Sequence, residues 1–401
     1  KTATFSAVSG NGYFCNTTAG AFTVNLPAGS AGAIVSLADY AATWQTNNLT
    51  VSPNGTDKIG SVNTDVSLST EGQSVTFVYV DSTQGWINTM DSTSNVRGNE
   101  FIIATGGTIA TCGDCKIHTF TGPGTFTVSA VGSCAANNLV SHMVVAGGGG
   151  GTCDVGGGGG AGGFREVKSP VTPYTASPLD GYPSAPNRVT VTATGYPVTV
   201  GAGGAAGSYP PTCQTPGCSG NTSIFSTVTS TGGGGGGGSL SSPGPAINGG
   251  SGGGGYRGCR AGGTGNSPPV SPAQGRNGGN GGPGSGGAGG GGGAGCTGQN
   301  GSADNGGGAA GGNGVSTSIS GSSVTRAGGG GGGTRVNPPN ASPGGAGGAG
   351  GGGAGSGGGP TGVDATPGTA NTGGGGGGAV NAPGSGGTGG SGIVIIRYKF
   401  Q

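Results

Sequence analysis

All but 16 of the 109 glycines in this 401-residue chain fall after Ala146. No other feature narrows the possible folds so sharply. Glycine loses the most backbone entropy on folding, and inside an α-helix it is up to about 1 kcal/mol worse than alanine per site. An ordinary helical architecture is therefore excluded for residues 147–401. Collagen is excluded too, because glycine does not keep a strict period of three. Glycine runs recur at 156–163, 201–207, 232–238, 249–255, 278–295, 306–314, 328–333, 344–359, 373–378 and 384–392. Composition alone suits a flexible linker.

Other features of the sequence point to order instead. Many runs have similar lengths, and the inserts between them carry Tyr, Ile, Phe, Val, Cys and Pro. The segment Ile393-Val394-Ile395-Ile396-Arg397-Tyr398-Lys399-Phe400 has high β-propensity and would be an aggregation hazard if left exposed. It is expected to pair with Ser141–Val145 or with 189–194. The runs themselves suit a polyproline-II-like helix, with three residues per turn and no internal hydrogen bonds. Several such helices can pack side by side and satisfy their backbone groups on one another, with Cα–H···O contacts adding to the attraction. If runs alternate in direction, the inserts 208–231, 256–275, 315–327 and 360–372 share one end. The inserts 239–248, 296–305, 334–343 and 379–383 then share the other.

Residues 1–99 read as a β-sandwich-like module. Phe22-Thr23-Val24-Asn25-Leu26 alternates apolar and polar before Pro27. Further strands are expected around Ile34–Leu37, Leu49–Val51, Val66–Leu68, Val75–Val80 and Gly85–Ile87, with Trp44 and Trp86 as core anchors. Residues 100–146 read as a second β module leading into the glycines, with Gly122-Pro123-Gly124 as a hairpin turn. Residues 147–401 form the glycine-rich domain, closed by a strand at 392–400. The fold class is all-β modules followed by packed polyglycine II helices, with essentially no α-helix.

Chemistry is sparse. Charged residues make up 7% of the chain, the net charge is +1, and there are two His. Nucleic-acid binding needs clustered Lys and Arg. Membrane insertion needs about 20 consecutive apolar residues, and a phosphate loop needs a Gly-Lys-Ser/Thr. The sequence has none of these. Cys112-Gly113-Asp114-Cys115 lacks the second pair of a zinc ribbon and the βαβ setting of a redox motif. His118 and His142 read as surface or satisfied core residues. Asp39, Asp57, Asp65 and Asp81 have no calcium-loop or paired-carboxylate spacing. No catalytic residue, metal site or cofactor is expected.

The strands and glycine motifs do resemble a known family. Phe22-Thr23-Val24-Asn25-Leu26-Pro27 and Val78-Tyr79-Val80-Asp81-Ser82-Thr83-Gln84-Gly85-Trp86 are similar to modules in tail-fibre proteins of aquatic bacteriophages. So are His118-Thr119-Phe120-Thr121-Gly122-Pro123-Gly124-Thr125-Phe126-Thr127-Val128, Gly159-Gly160-Ala161-Gly162-Gly163-Phe164-Arg165-Glu166 and the segment 389–398. The resemblance implies a virion fibre subunit, usually a homotrimer, that binds a host-surface glycan or outer-membrane protein and joins other tail proteins. Loops on a stack of polyglycine helices would contact the receptor. A Gly-rich fibril or matrix protein and an ice-binding protein are the competing readings. The first would want near-identical repeats, and the second regular Thr or Ala on one face.

Within the inserts, Tyr209, Tyr256, Arg257, Arg260, Val270, Arg326 and Asp364 are the candidate receptor contacts, since Tyr and Arg are favoured at binding hot spots. Tyr256-Arg257-Gly258-Cys259-Arg260 concentrates aromatic and cationic groups. Nine cysteines leave at least one unpaired within the chain. An extracellular particle tolerates disulfides, and Cys213–Cys218 is the expected pair.

Overall fold

The computed structural model describes residues 1–92, 101–207, 216–238, 244–303, 306–337, 340–357, 364–380 and 384–401. Lys1–Gly98 and Asn99–Gln401 are separate compact units. Strands dominate, and the helical elements are two short 3-10 turns among the described residues.

In the first unit the strands are β1 (Phe5–Ser6), β2 (Asn11–Cys15), β3 (Phe22–Asn25), β4 (Ile34–Asp39), β5 (Leu49–Ser52), β6 (Val66–Leu68), β7 (Ser74–Tyr79) and β8 (Trp86–Ser92). They form two sheets ordered β1-β3-β5-β6 and β2-β4-β7-β8. From β1 to β5 the chain steps between sheets at every strand, so same-sheet neighbours there run parallel. The core holds Trp44 and Trp86, both fully buried, with Val24, Val35, Leu37, Leu49 and Val51. Three of the scattered aspartates hold turns. Asp39 accepts from the Thr43, Trp44 and Gly72 amides at 3.1–3.2 Å. Asp57 accepts from Gly29 at 2.7 Å, and Asp81 from Thr83 and Gln84 at 2.7–2.8 Å.

The second unit opens with β9 (Ile103–Thr105), β10 (Thr108–Cys112), β11 (Cys115–Phe120), β12 (Gly124–Ala130) and β13 (Leu139–Val145). Next come β14 (Phe164–Val167), β15 (Val189–Thr190), β16 (Gly195–Thr199), β17 (Ser223–Phe225) and β18 (Val228–Ser230). The hairpins β19 (Val315–Thr317) with β20 (Val324–Arg326) and β21 (Val336–Asn337) with β22 (Asn340–Ala341) precede β23 (Ile393–Lys399). One sheet runs β10-β11-β23-β13-β14, with β15 also on β13, and a second runs β18-β17-β16-β12-β9. Residues 100–146 thus share both sheets with strands of the glycine-rich region. As expected, β23 pairs with β13, Met143 opposite Ile395. Its other side is covered by β11. Gly122-Pro123-Gly124 is not a hairpin turn, since β11 and β12 belong to different sheets. It is a corner that lets Phe120 and Phe126 enter the same apolar core from two sheets.

Beyond these sheets the chain runs in extended segments that reverse direction one after another. They are 147–151, 156–163, 201–207, 216–221, 231–237, 246–250, 251–255, 260–265, 276–282, 286–294, 296–302, 306–314, 327–333, 343–349, 351–357, 364–370, 373–379 and 384–392. Segment 156–163 shows how they pack. Gly157, Gly160 and Gly163 donate to Gly237, Gly234 and Thr231; Gly158 and Ala161 donate to Gly289 and Gly292; Gly159 and Gly162 donate to Gly376 and Gly373. Its carbonyls accept, again with a period of three, from segments 146–152, 251–254 and 330–333. These N···O distances span 2.7–3.2 Å. Three residues per turn aim successive N–H groups, and successive C=O groups, about 120° apart. One strand of glycines is therefore bonded to six neighbours. Segment 328–333 likewise has six, at 156–159, 288–291, 309–312, 345–348, 350–353 and 375–378.

The lattice corrects the expected sorting of inserts by end. Stretches assigned to inserts, such as 216–221, 260–265, 296–302 and 364–370, are themselves lattice segments. The long runs at 278–295 and 344–359 are each two segments, reversed at turns containing Gly284, Gly350 and Gly351 with positive φ. Every extra reversal changes the end at which later inserts lie.

Space is the limiting quantity. A Cβ on Gly159 would sit 2.0 Å from the Gly149 carbonyl oxygen, whereas one on Gly122 would meet nothing within 4 Å. Gly159→Ala is expected to lose more than about 4 kcal/mol or to abolish cooperative folding, and Gly122→Ala to stay within about 1 kcal/mol. Urea denaturation of the two variants checks this, and equal midpoints would contradict the close packing.

Candidate functional site

The alternating segments give the lattice two ends. At the sheet end the chain enters from β13 and leaves into β23, and the 164–200, 222–230, 266–275 and 315–326 connections lie there. At the opposite, distal end the chain reverses at 152–155, 256–259 and 283–285 and passes through the β21–β22 hairpin.

The candidate contacts do not gather into one site. Tyr256, Arg257, Arg260 and Asp364 are at the distal end, whereas Val270 and Arg326 are at the sheet end. Tyr209 and Cys213 lie outside the described residues. Tyr256 is buried, so its aromatic body closes the end of the lattice rather than projecting from it. Its hydroxyl donates to Asp154 at 3.4 Å and accepts from Arg257 Nε at 3.0 Å. The Arg257 guanidinium lies 5.5 Å from the Tyr256 ring centre, and Arg260 is exposed. Arg335 reaches this end as well, donating to Ser285 at 2.9 Å. Exposed Asp364 accepts from the Ser385 amide at 2.7 Å.

That bond has a general role along the rim. An outer segment lacks a neighbour on one side, and short polar side chains replace the missing carbonyls. Asn277, Asn280 and Asn313 accept from the amides of Gly265, Gly262 and Ala349 at 2.9–3.0 Å. Sequence reading missed these rim segments. Their signal was a glycine or alanine at every third position, as at Gly298 and Gly301 or Ala365 and Gly368, with polar residues facing out.

Cys218 is an exposed free thiol, so the expected Cys213–Cys218 bridge is not made; Cys153, in the distal 152–155 turn, is disulfide-bonded instead. The lattice explains part of this. Cys218 lies within segment 216–221, where its amide and carbonyl serve Ala205 and Gly150 and its side chain faces outward. Cys112 and Cys115 stand opposite each other across the Gly113–Asp114 turn as free thiols.

The sheet end carries the buried charges. Glu166 accepts from the Ser177 amide at 2.9 Å and from the Thr317 hydroxyl. Burial nonetheless holds its carboxyl above the usual range. Arg326 is buried beside it, and burial lowers its pKa. Arg397 donates to the Pro173 carbonyl at 2.9 Å and lies 5.3 Å from the Tyr174 ring centre. The adjoining cavity, about 10 Å3, has room for a single water. Val270 is half-buried on the 266–275 connection, its amide bonded to Asn266 at 3.0 Å. Among the described residues no His, Cys, Asp or Glu cluster is placed to hold a metal ion.

His118 is a satisfied core residue, with Nδ1 2.7 Å from the Gly106 carbonyl and Nε2 3.1 Å from the Tyr398 hydroxyl. His142 differs from the expectation: it is fully buried in β13, and neither ring nitrogen has a hydrogen-bond partner among the described residues. Burial pushes its pKa from 6.5 down to about 4. The unfolded chain therefore takes up a proton below about pH 6.5, while the folded chain resists doing so until about pH 4. Stability contributed by neutral His142 is complete above that window and falls through it, by about 3 kcal/mol in all. His142→Gln should flatten the pH dependence of the urea midpoint between pH 6.5 and 4. An unchanged slope would mean that His142 does not titrate as its burial demands.

Comparison with known families identifies a glycine-rich domain over residues 119–399. Comparison with curated proteins gives no match. The matched span begins within β11, takes in every lattice segment and closes on β23, and the chain belongs to the glycine-rich domain family.

Proposed function

We propose that the protein is a bacteriophage tail-fibre subunit that attaches the virion to its host. In this reading the polyglycine lattice is a rigid platform, and the distal connections contact a surface glycan or outer-membrane protein. The observation that carries it is the division of labour in the lattice. Inner segments spend their backbone groups on one another, while the distal turns present unrelated sequences, including the Arg257 and Arg260 pair. Fibrils built from repeats have no need of such variety. The unrelated turns also lack the regular Thr or Ala face an ice binder would use.

Affinity follows from multivalency. Three copies in a homotrimeric fibre, and several fibres on a particle, turn weak single contacts into firm adsorption. The exposed position of Arg260 favours receptors with acidic or hydroxyl-rich groups.

The test is cell binding by the labelled full chain against a panel of aquatic bacteria, cyanobacteria included. A narrow subset of strains should bind, and replacing the exposed Arg260 by Ser should weaken binding by about tenfold or more without changing the urea midpoint. Failure to bind any strain, or binding indifferent to the distal connections, would sink the reading.

A further inference from the structure

The first unit has two outward sheet faces, and they differ in chemistry. Alternate side chains along a strand leave the core, and directly opposed residues share a face. On the β1-β3-β5-β6 sheet the outward rows are Thr23-Thr50-Ser67 and Ser6-Asn25-Ser52. All are hydroxyls or amides, as suits a face that meets water. On the β2-β4-β7-β8 sheet, Val35, Leu37, Val75 and Phe77 point into the core. The outward rows there are Ile34-Val78-Ile87 and Ser36-Thr76-Met90, with Phe14 beside Ala38.

Five of the nine exposed large hydrophobic residues among those described stand on this second face. Phe14 is 67% and Met90 71% exposed. Ile34, Tyr40 and Val80 are exposed as well, the last two continuing the alternation just past β4 and β7. None of these outward positions holds a charge. A contiguous apolar patch on a soluble unit marks an interaction site, and the same facts limit what can cover it. A partner bringing charge would bury that charge unpaired. The partner must also be flat, since Ser36, Ala38 and Thr76 keep the middle of the face low. The same face on another copy has both properties. Two sheets pack face to face about 10 Å apart with strands within about 30° of each other, and a two-fold axis builds that arrangement from a single self-complementary face.

We propose that the outer face of the β2-β4-β7-β8 sheet packs against its counterpart on another copy of the chain. Four strands and six residues along each give a footprint of about 19 by 20 Å, or about 400 Å2 per copy. That is half of the roughly 800 Å2 per partner in a standard interface. The contact is therefore weak between two free chains and becomes firm where copies are already held together. It gives the fibre reading a contact between copies, but it does not rest on that reading.

The experiment uses the full chain with isotope-labelled methionine methyl groups, followed by NMR. The chain has two methionines: Met90 on the face, and Met143, fully buried in β13. Raising the concentration from about 10 μM to about 1 mM, a range that detects weak association, should shift the Met90 resonance saturably and leave Met143 in place. Sedimentation equilibrium should show mass above that of one chain over the same range. Phe14→Glu should weaken the association about tenfold or more. Ser67→Glu, at an exposed position on the opposite sheet, should leave it unchanged, and neither substitution should move the urea midpoint. The proposal is overturned if Met90 and the mass ignore concentration, or if Phe14→Glu associates as tightly as the parent chain. A chain that stays monomeric while phosphatidylcholine vesicles move the Met90 resonance would assign the face to a lipid surface and overturn it too. Self-association without binding to any cell would count against the fibre reading alone.

Discussion

Every level of the second unit depends on glycine backbones bonding to each other in several directions at once. A β-strand bonds sideways to two neighbours. A polyglycine II segment turns by a third of a circle per residue and so reaches six, as 156–163 and 328–333 both do. Ordering each residue costs about 1–2 kcal/mol of backbone entropy, and glycine is at the costly end. A net hydrogen bond returns about 0.5–1.5 kcal/mol. No single segment can stabilise itself on those terms. Stability has to be cooperative, shared over many segments whose close approach also gains dispersion contacts.

Cooperativity needs boundaries, and the sequence supplies two kinds. At the sheet end, β13 and β23 are adjacent, so the first and last lattice segments start and finish on one ladder. Ala161, Ala294 and Ala327 add their methyl groups to an apolar core with Phe164, Ile393 and Ile395 beneath that sheet. Around the rim, Asn, Thr and Asp side chains accept the hydrogen bonds that a further neighbour would have accepted. The same device explains why a candidate contact such as Asp364 proves to be part of the scaffold. A short polar side chain on an outer segment has a structural use before it has any other.

Strands were legible because their burial alternates. Phe22–Asn25 and Ser74–Tyr79 keep a period of two, and β4 was found for the same reason. The exposed edge strand β2 was missed, since only Cys15 in it is buried. The packed polyglycine runs and the β13–β23 pairing were also visible, from run length and from the apolar strand at 393–399. Rim segments were not, because a period of three with polar residues outward looks like an ordinary loop. Tyr256 shows the matching limit for the site. An aromatic residue in an insert reads as a contact, yet its burial against Asp154 and Arg257 depends on where the lattice happens to end.

Residue-resolved amide hydrogen exchange over 147–392 tests the lattice most directly. Inner segments 156–163 and 328–333 should exchange only with global unfolding. The rim segment 201–207 should be protected at Gly204 and Gly207, which donate to Gly148 and Gly151, and fast at exposed Ala202 and Ala205. That three-residue alternation is the signature of a helix bonded on one side. Uniformly fast exchange across the region would contradict the account and leave the glycine-rich segment a flexible tether.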